Sequence, residues 1–356
     1  MNDDCAPLLA DHPLASLLSA IGAQAAAAGF RTAAVGGFVR DLLLGILSRD
    51  VDIAVEGDAI ACAHLLAGPL GGAVTKTSSF GTAVLMVGDT RIDLAMTRTE
   101  RYPRPGALPE VCPGSLDRDL GRRDFTVNAM AIEISPTGFG CLLDSLGGRA
   151  DLAARLIRVL HDESFHDDPT RMLRAVRLAH RLGFALAAPT AALLGQAVRE
   201  RCWLTVGSRR LGQEIRLLFQ EEDLPGLCRR LDDYGLFRPL FAAMPAGELP
   251  DALARIGAAG EWLGRHGFVP DPAATAALLI GGRAEHWLEA DNSVRGWIAR
   301  LATLRRLVAA SDDDGPVSGE RDIPPAVLAY LWIMCKNEKE QFRLEIMAGL
   351  ARPPQT

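Results

Sequence analysis

Lysine is almost missing from this chain. It occupies positions 76, 336 and 339, so arginine supplies 35 of the 38 basic residues. A planar guanidinium fork, suited to bidentate phosphate contact, has largely replaced the compact ammonium, although a GC-rich genome would favour the same bias. Cysteine is also sparse and scattered. Cys5, Cys62, Cys112, Cys141, Cys202, Cys228 and Cys335 form no CxxC pair, so neither a zinc site nor a disulfide framework is indicated. Each is expected to be a small buried hydrophobe. No apolar run reaches the roughly 18 residues of a membrane span. The opening MNDDCAPLLADHP is acidic where a signal peptide is basic, so a cytoplasmic protein without a membrane partner is expected. GxGxxG is absent as well, and Asp50-Val51-Asp52 follows the glycines of GGFVRD too soon to serve as a ribose-binding acid. That disfavours a dinucleotide-dependent oxidoreductase. No fixed-period repeat marks a solenoid.

What is present is a chain of 356 residues, 49% apolar, enough for a sizeable core and about two or three domains. The net charge of −6 argues weakly against a polyanionic partner. Its distribution differs: from Arg149 to Arg230 there are 14 arginines against 10 acidic residues. Nucleic acid is therefore compatible with the local charge without being required by it.

Residues 13–29 read as an alanine-rich helix closed by Gly29. TAAVGG reads as a buried strand entering a glycine turn, FVRDLLLGIL as one to two helical turns, and DVDIAV as the next strand. Alternation along that strand puts Asp50 and Asp52 on one face and Val51 and Ile53 on the other. The two carboxylates can thus converge on one cation; the alternative is a solvated edge strand. DAIACAHLLAGPLG is a further helix, and TAVLMVG with RIDLAMT a hairpin turning at Gly88 and Asp89. Asp93 falls inside the second of these strands. It is either a third carboxylate beside Asp50 and Asp52 or an outward-facing residue of an amphipathic strand.

Residues 98–120 carry four prolines and read as a loop or flap. GRRDFTVNAMAIEI follows, with Arg122 and Arg123 ahead of an apolar stretch that continues into a strand. Asn128 among those apolar residues requires hydrogen-bond partners if buried. Gly147 and Gly148 mark a turn closing the sheet-containing region, and LIRVL a short strand. In HDDPTRMLRAVRLAHRLGF, Pro169 suits a first helical turn. Arg171, Arg174, His180 and Arg181 fall on a polar side and Met172, Val176 and Ala179 on an apolar one. Asp168 and Arg171, three apart, can touch. Such a pair offers an acceptor and donors to the edge of a nucleobase, or is simply a surface ion pair. From 190 onward the segments read as helical, with tryptophans as packing anchors and an acidic linker or loop over 309–325.

These motifs, in this order, resemble those of the class II tRNA nucleotidyltransferase and bacterial poly(A) polymerase family, over about residues 1–240. GGFVRDLLLG with Asp50-Val51-Asp52 is similar to the family's glycine and metal motif. Arg122 to Ala129 is similar to RRDFTxNA, Asp144 to Leu152 to the turn joining head and neck, and Asp167 to Arg174 to the nucleotide-selecting EDxxR helix. Arg209, Arg210 and Glu214 resemble the later neck motif. The resemblance implies an α+β head of the nucleotidyltransferase superfamily, a mixed β-sheet with helices, followed by all-helical neck, body and tail. The expected domains are a catalytic head over 1–150, a neck over 151–215, a body over 216–308 and a tail over 309–356.

It also implies template-independent transfer of CMP and/or AMP from CTP and ATP to the tRNA 3′ end, with the tail on the tRNA elbow. No obligate protein partner is implied. Asp50 and Asp52 would hold two Mg²⁺ ions, with Asp93 as a supporting catalytic carboxylate. Nucleotide binding would fall to Gly36, Gly37, Arg40, Arg122, Arg123, Asp124, Asn128, Asp168, Arg171, Arg174 and Arg177. Two departures stand out: Asp167 replaces the usual Glu, and the flap reads RTERYPRPGALPEV rather than RxDGxYxDxRRP. The flap departure leaves CCA, CC-only and A-only addition open. Poly(A) synthesis is disfavoured because no extended basic tail is present. A catalytically silent tRNA-binding module is disfavoured because both metal aspartates and the RRD motif are intact.

Overall fold

In a computed structural model the described residues are 4–218, 220–237 and 261–267, with Gln341 and Leu344. The expected tail and most of the expected body lie outside them. The chain divides into two compact units, Met1–Arg171 with Leu182–Leu193, and Met172–Arg181 with Leu194–Thr356.

The first unit begins with α1 (Ala6–Ala10), α2 (Ala15–Ala27), β1 (Arg31–Val35), α3 (Gly37–Leu43), β2 (Val51–Glu56) and α4 (Ala59–Ala67). It continues with β3 (Gly72–Ser78), β4 (Thr82–Val87), β5 (Thr90–Met96), β6 (Arg98–Arg101), β7 (Glu110–Pro113) and α5 (Leu116–Gly121). After these come β8 (Ala131–Glu133), β9 (Leu142–Leu143), α6 (Gly148–Ala154), β10 (Leu156–Ile157) and α7 (Ser164–Asp167). Seven strands form one mixed sheet in the order β3-β4-β5-β2-β1-β8-β9. Only the β2–β5 pair is parallel; the other neighbours run antiparallel. A parallel pair needs a crossover, here supplied by α4 and the β3–β4 hairpin.

Helices α2 and α4 pack together and against the sheet. The buried residues of α4, Ala59, Cys62, Ala63 and Leu66, recur at helical spacing. Its start is fixed by Asp58, whose Oδ1 accepts from the Ile60 and Ala61 N–H groups at 2.9 and 3.0 Å. Leu18, Ile21, Ile53, Leu66, Leu85, Ile92 and Leu94 are fully buried. On β2 the alternation holds where it matters for the site: Val51 and Ile53 are buried while Asp52 faces out.

Several expectations change. Strand β2 starts at Val51, so Asp50 lies one residue before it rather than inside it. Residues 98–120 are not an irregular loop: β6 and β7 pair antiparallel from Arg98↔Pro113 to Arg101↔Glu110, and α5 follows. Pro103, Pro105 and Pro109 fall in the connection, and Pro113 ends its strand, where a missing N–H is tolerated. Strand β3, unread in the sequence, is a mostly exposed edge strand whose Thr and Ser composition hides it. Gly148 opens α6 rather than only turning the chain. Cys112 and Cys141 are exposed, because a two-stranded ribbon and a sheet margin each leave a side to solvent; the other described cysteines are buried.

Helix α8 (Thr170–Leu182) and α9 (Ala188–Arg199) each contribute to both units, with β11 (Ala185–Leu186) pairing parallel to β10 in the first. The second unit adds α10 (Ser208–Leu218) and α11 (Leu224–Asp233). Leu211, Ile215, Leu218, Leu227 and Leu231 make the buried stripes of these two helices. Among the described residues no helix is long and apolar enough to cross a membrane.

Candidate active site

The site begins where β1 ends. Gly36 takes φ +71°, ψ −130°, and its N–H donates to the Met130 carbonyl at 3.2 Å. A Cβ there would sit 2.9 Å from Arg123 Nη1. Glycine is thus required twice, for the backbone angle and for the guanidinium lying against the turn. Gly36→Ala is expected to cost about 1–3 kcal/mol in backbone strain and to displace Arg123. Urea unfolding measures the first effect.

Arg123 Nη2 donates to Asp119 Oδ2 at 2.9 Å, while its Nε is buried with no hydrogen-bond partner among the described residues. Arg40, on α3, is buried. It donates through Nε to Asp41 Oδ1 at 2.8 Å and through Nη1 to Asn128 Oδ1 at 2.7 Å. Asn128 passes the chain on, its Nδ2 donating to Asp124 Oδ1 at 3.0 Å. The glycine motif and the RRDFTVN motif are therefore locked together by side chains. The hydrogen bond that Asn128 requires is met.

Beside this turn stand the carboxylates. Asp52 on β2 is in register with Asp93 on β5. Asp50 is exposed, its N–H donating to Ser48 Oγ at 3.3 Å. Asp93 accepts both Arg91 Nε and Nη2, at 2.9 and 2.8 Å, in a solvent-exposed pair. Asp52 keeps exposed surface, yet protein atoms crowd its carboxyl group. Burial pushes its pKa up, Asp93 and Asp50 push the same way, and Arg123 and Arg91 oppose them. Like charges held together at a glycine turn are a donor set that a hard divalent cation would relieve.

A second network surrounds Arg122. Its Nε and Nη2 donate to Asp119 Oδ1 at 2.9 and 2.6 Å, and its Nη1 to Glu100 Oε1 at 2.8 Å. Glu100 also accepts Arg98 Nε and Nη2 at 3.0 and 2.8 Å, and the Tyr102 hydroxyl at 3.0 Å. Burial, then the Glu100 charge, pushes the Tyr102 phenol up to about 12, so it stays a donor near neutral pH.

At the start of α8, Asp168 Oδ1 accepts the Thr170 N–H at 3.0 Å and the Thr170 hydroxyl at 2.6 Å. Arg171 is buried rather than on a solvated side. Its guanidinium donates to Ser164 Oγ and to the Arg122 carbonyl, both at 2.8 Å, and not to the Asp168 carboxylate; the Arg171 backbone N–H donates to the Asp168 carbonyl at 3.0 Å. The three-residue spacing permits the Asp168–Arg171 contact, but buried acceptors win the guanidinium. In the second unit, Arg174 meets Glu214 at 3.4 Å, and Arg177 lies between Glu214 at 3.6 Å and Glu221 at 3.3 Å. Burial lowers the Arg177 pKa.

Glu100, Tyr102, Asp119 and Ser164 were not picked out from the sequence. For the first two a signal existed. Arg98, Glu100 and Tyr102 alternate, so they share one face of an extended segment, but the nearby prolines obscured the strand.

This fold and carboxylate set define a nucleotidyltransferase head. The family model described as "Poly A polymerase head domain" matches residues 32–158. The chain belongs to the class II tRNA nucleotidyltransferase family. It is 30% identical to a CCA-adding enzyme of Latilactobacillus sakei over 310 residues, covering 82% of this chain and 72% of that one. It is 45% identical over 206 residues to an A-adding tRNA nucleotidyltransferase of Geobacter sulfurreducens, covering 58% of this chain; the chain spans 23% of that relative's length. The Thermotoga maritima CCA-adding enzyme complexed with tRNA shares the fold at TM-score 0.75 and 28% identity, over 98% of this chain and 85% of that one. CCA-adding enzymes complexed with CTP and with ATP are similar at TM-scores 0.75 and 0.77, each 29% identical, over 95% of this chain and 84% and 83% of theirs.

Proposed function

We propose that this chain transfers CMP and/or AMP from CTP and ATP to the 3′ end of tRNA without a nucleic-acid template. The observation that carries the reading is the Asp52–Asp93 register beside Asp50, facing the Gly36 turn on which Arg123 lies. Relatives named for A addition and CCA addition, and solved neighbours holding tRNA, CTP or ATP, support it.

Asp50 and Asp52 are the residues that would hold magnesium, which supplies activation of the primer 3′-hydroxyl and neutralisation of the departing pyrophosphate. Asp93 is the supporting carboxylate. Arg123, with an unsatisfied buried Nε, and the open Gly36–Gly37 turn receive the triphosphate. The Arg40–Asn128–Asp124 chain fixes that turn, and Arg122 fixes Arg171. Asp168 and Arg171 present acceptor and donor groups to the incoming base, with Arg174 and Arg177 extending the nucleotide-binding set. The head spans 1–150 and the neck 151–215. The proposed body covers 216–308 and the proposed tail 309–356, with the tail contacting tRNA, and the reaction takes place in the cytoplasm.

The test uses three tRNA transcripts, ending before CCA, after C and after CC, each given CTP, ATP or both. Growth read at nucleotide resolution separates CCA, CC-only and A-only addition. Long adenosine runs on unrelated RNA would indicate a poly(A) polymerase. Binding without incorporation would overturn the enzymatic reading in favour of a tRNA-binding module.

A further inference from the structure

We infer that Glu100 is a positioning residue for nucleotide choice, setting Arg171 through Arg122. The inference rests on the nucleotidyl-transfer reading above and deepens it. Its chain of contacts lies wholly within the first unit.

Three observations carry it. Glu100 is almost fully enclosed, its side chain 6% exposed, so its ion pairs are poorly screened by solvent. One of its oxygens receives both Arg98 and Arg122, while the Tyr102 hydroxyl occupies the other. Arg122 is thereby held from two sides, by Glu100 and by Asp119. The Arg122 carbonyl is in turn the acceptor for Arg171 Nη2, and the far side of that guanidinium is tied to Ser164 Oγ. A shift in Arg122 therefore moves one of the two acceptors that aim Arg171. The β6–β7 ribbon is also tied to the segment ahead of α8 by the Gly106 N–H, which donates to the His166 carbonyl at 3.1 Å.

The ribbon thus carries a carboxylate wired to the arginine proposed to read the base. Glu100→Gln keeps shape and one acceptor oxygen but removes the charge shared by Arg98 and Arg122. Charge-assisted bonds are roughly twice as strong as neutral ones, so Arg122 should relax toward Asp119 and Arg171 should lose its aim.

The experiment measures kcat and KM for CTP and for ATP separately with Glu100→Gln, Glu100→Asp and the wild type. Each enzyme is assayed on tRNA transcripts ending before CCA and after CC, and melting curves are recorded alongside. The expected result is a change in the CTP-to-ATP ratio of kcat/KM of about tenfold, equivalent to ~1.4 kcal/mol, in Glu100→Gln. Glu100→Asp, which restores the charge, should recover most of the wild-type ratio. A parallel fall for both nucleotides, or an unchanged ratio, would overturn the inference and leave Glu100 a structural residue. Absence of incorporation by the wild type would instead count against the proposed function itself.

Discussion

Asp52→Asn is expected to lower nucleotide incorporation by about a thousandfold while leaving the fold intact. Metal stabilisation of a transferring phosphoryl group is worth several kcal/mol, and each 1.36 kcal/mol is tenfold in rate. The substitution should not destabilise the metal-free protein. Burial and the neighbouring Asp93 and Asp50 raise the Asp52 pKa. For an acid raised in this way, the stabilising contribution is complete below the unfolded-state pKa and is lost as pH rises through the folded value. Where Asp52 is ionised, its carboxylate is therefore a strain that Asn removes, and there the variant should melt at or slightly above the wild type. Magnesium reverses the comparison. A ligand at a hundred times its Kd stabilises by roughly 2.7 kcal/mol, and the Asn variant should lose most of this Mg²⁺-dependent rise in Tm. Undiminished turnover, or an equal Mg²⁺ response in both proteins, would remove Asp52 from the metal site.

Asp119→Ala should have the largest effect on stability, about 3–5 kcal/mol in urea unfolding at neutral pH. Its side chain is 2% exposed and holds both Arg122 and Arg123. Removing one partner of a buried ion pair leaves the other charge uncompensated. Burial alone would raise the Asp119 pKa; Arg123 and then Arg122 overcome this and hold it below the ordinary value. The sign follows directly. The stabilisation is present above the unfolded-state pKa, near 3.9, and is lost as pH falls through the lower folded value. Acidifying below about pH 4 should therefore narrow the gap between wild type and variant. A gap that stays constant on acidification, or a loss under about 1 kcal/mol, would mean that the arginines find other acceptors.

The central strands and motifs were legible because each repeats a physical pattern. Val51 and Ile53 alternate with Asp52, and the β4–β5 hairpin turns at Gly88, whose φ is +56°. The elements that escaped notice lacked such a pattern. Strand β3 is an edge strand with little apolar alternation, and β11 is two residues long. The 98–113 ribbon was hidden because proline, a strand breaker inside a sheet, sits mainly in its connection. The motifs holding the proposed site residues could be read from the sequence. Their mutual bonding could not, since Arg171 reaching the Arg122 carbonyl joins residues 49 positions apart. Local spacing favoured its near neighbour Asp168 instead.

The parallel pairing of β2 with β5, the one such pair in the seven-stranded sheet, has a kinetic corollary. Asp52 and Asp93 become neighbours only after the crossover through α4 and the β3–β4 hairpin has closed, and loop closure must precede the contacts that reward it. A chain still being synthesised therefore cannot assemble the carboxylate pair until β5 has emerged. The antiparallel neighbours β4 and β5 can zip locally beforehand, so a half-made protein should present a formed hairpin before Asp93 meets Asp52.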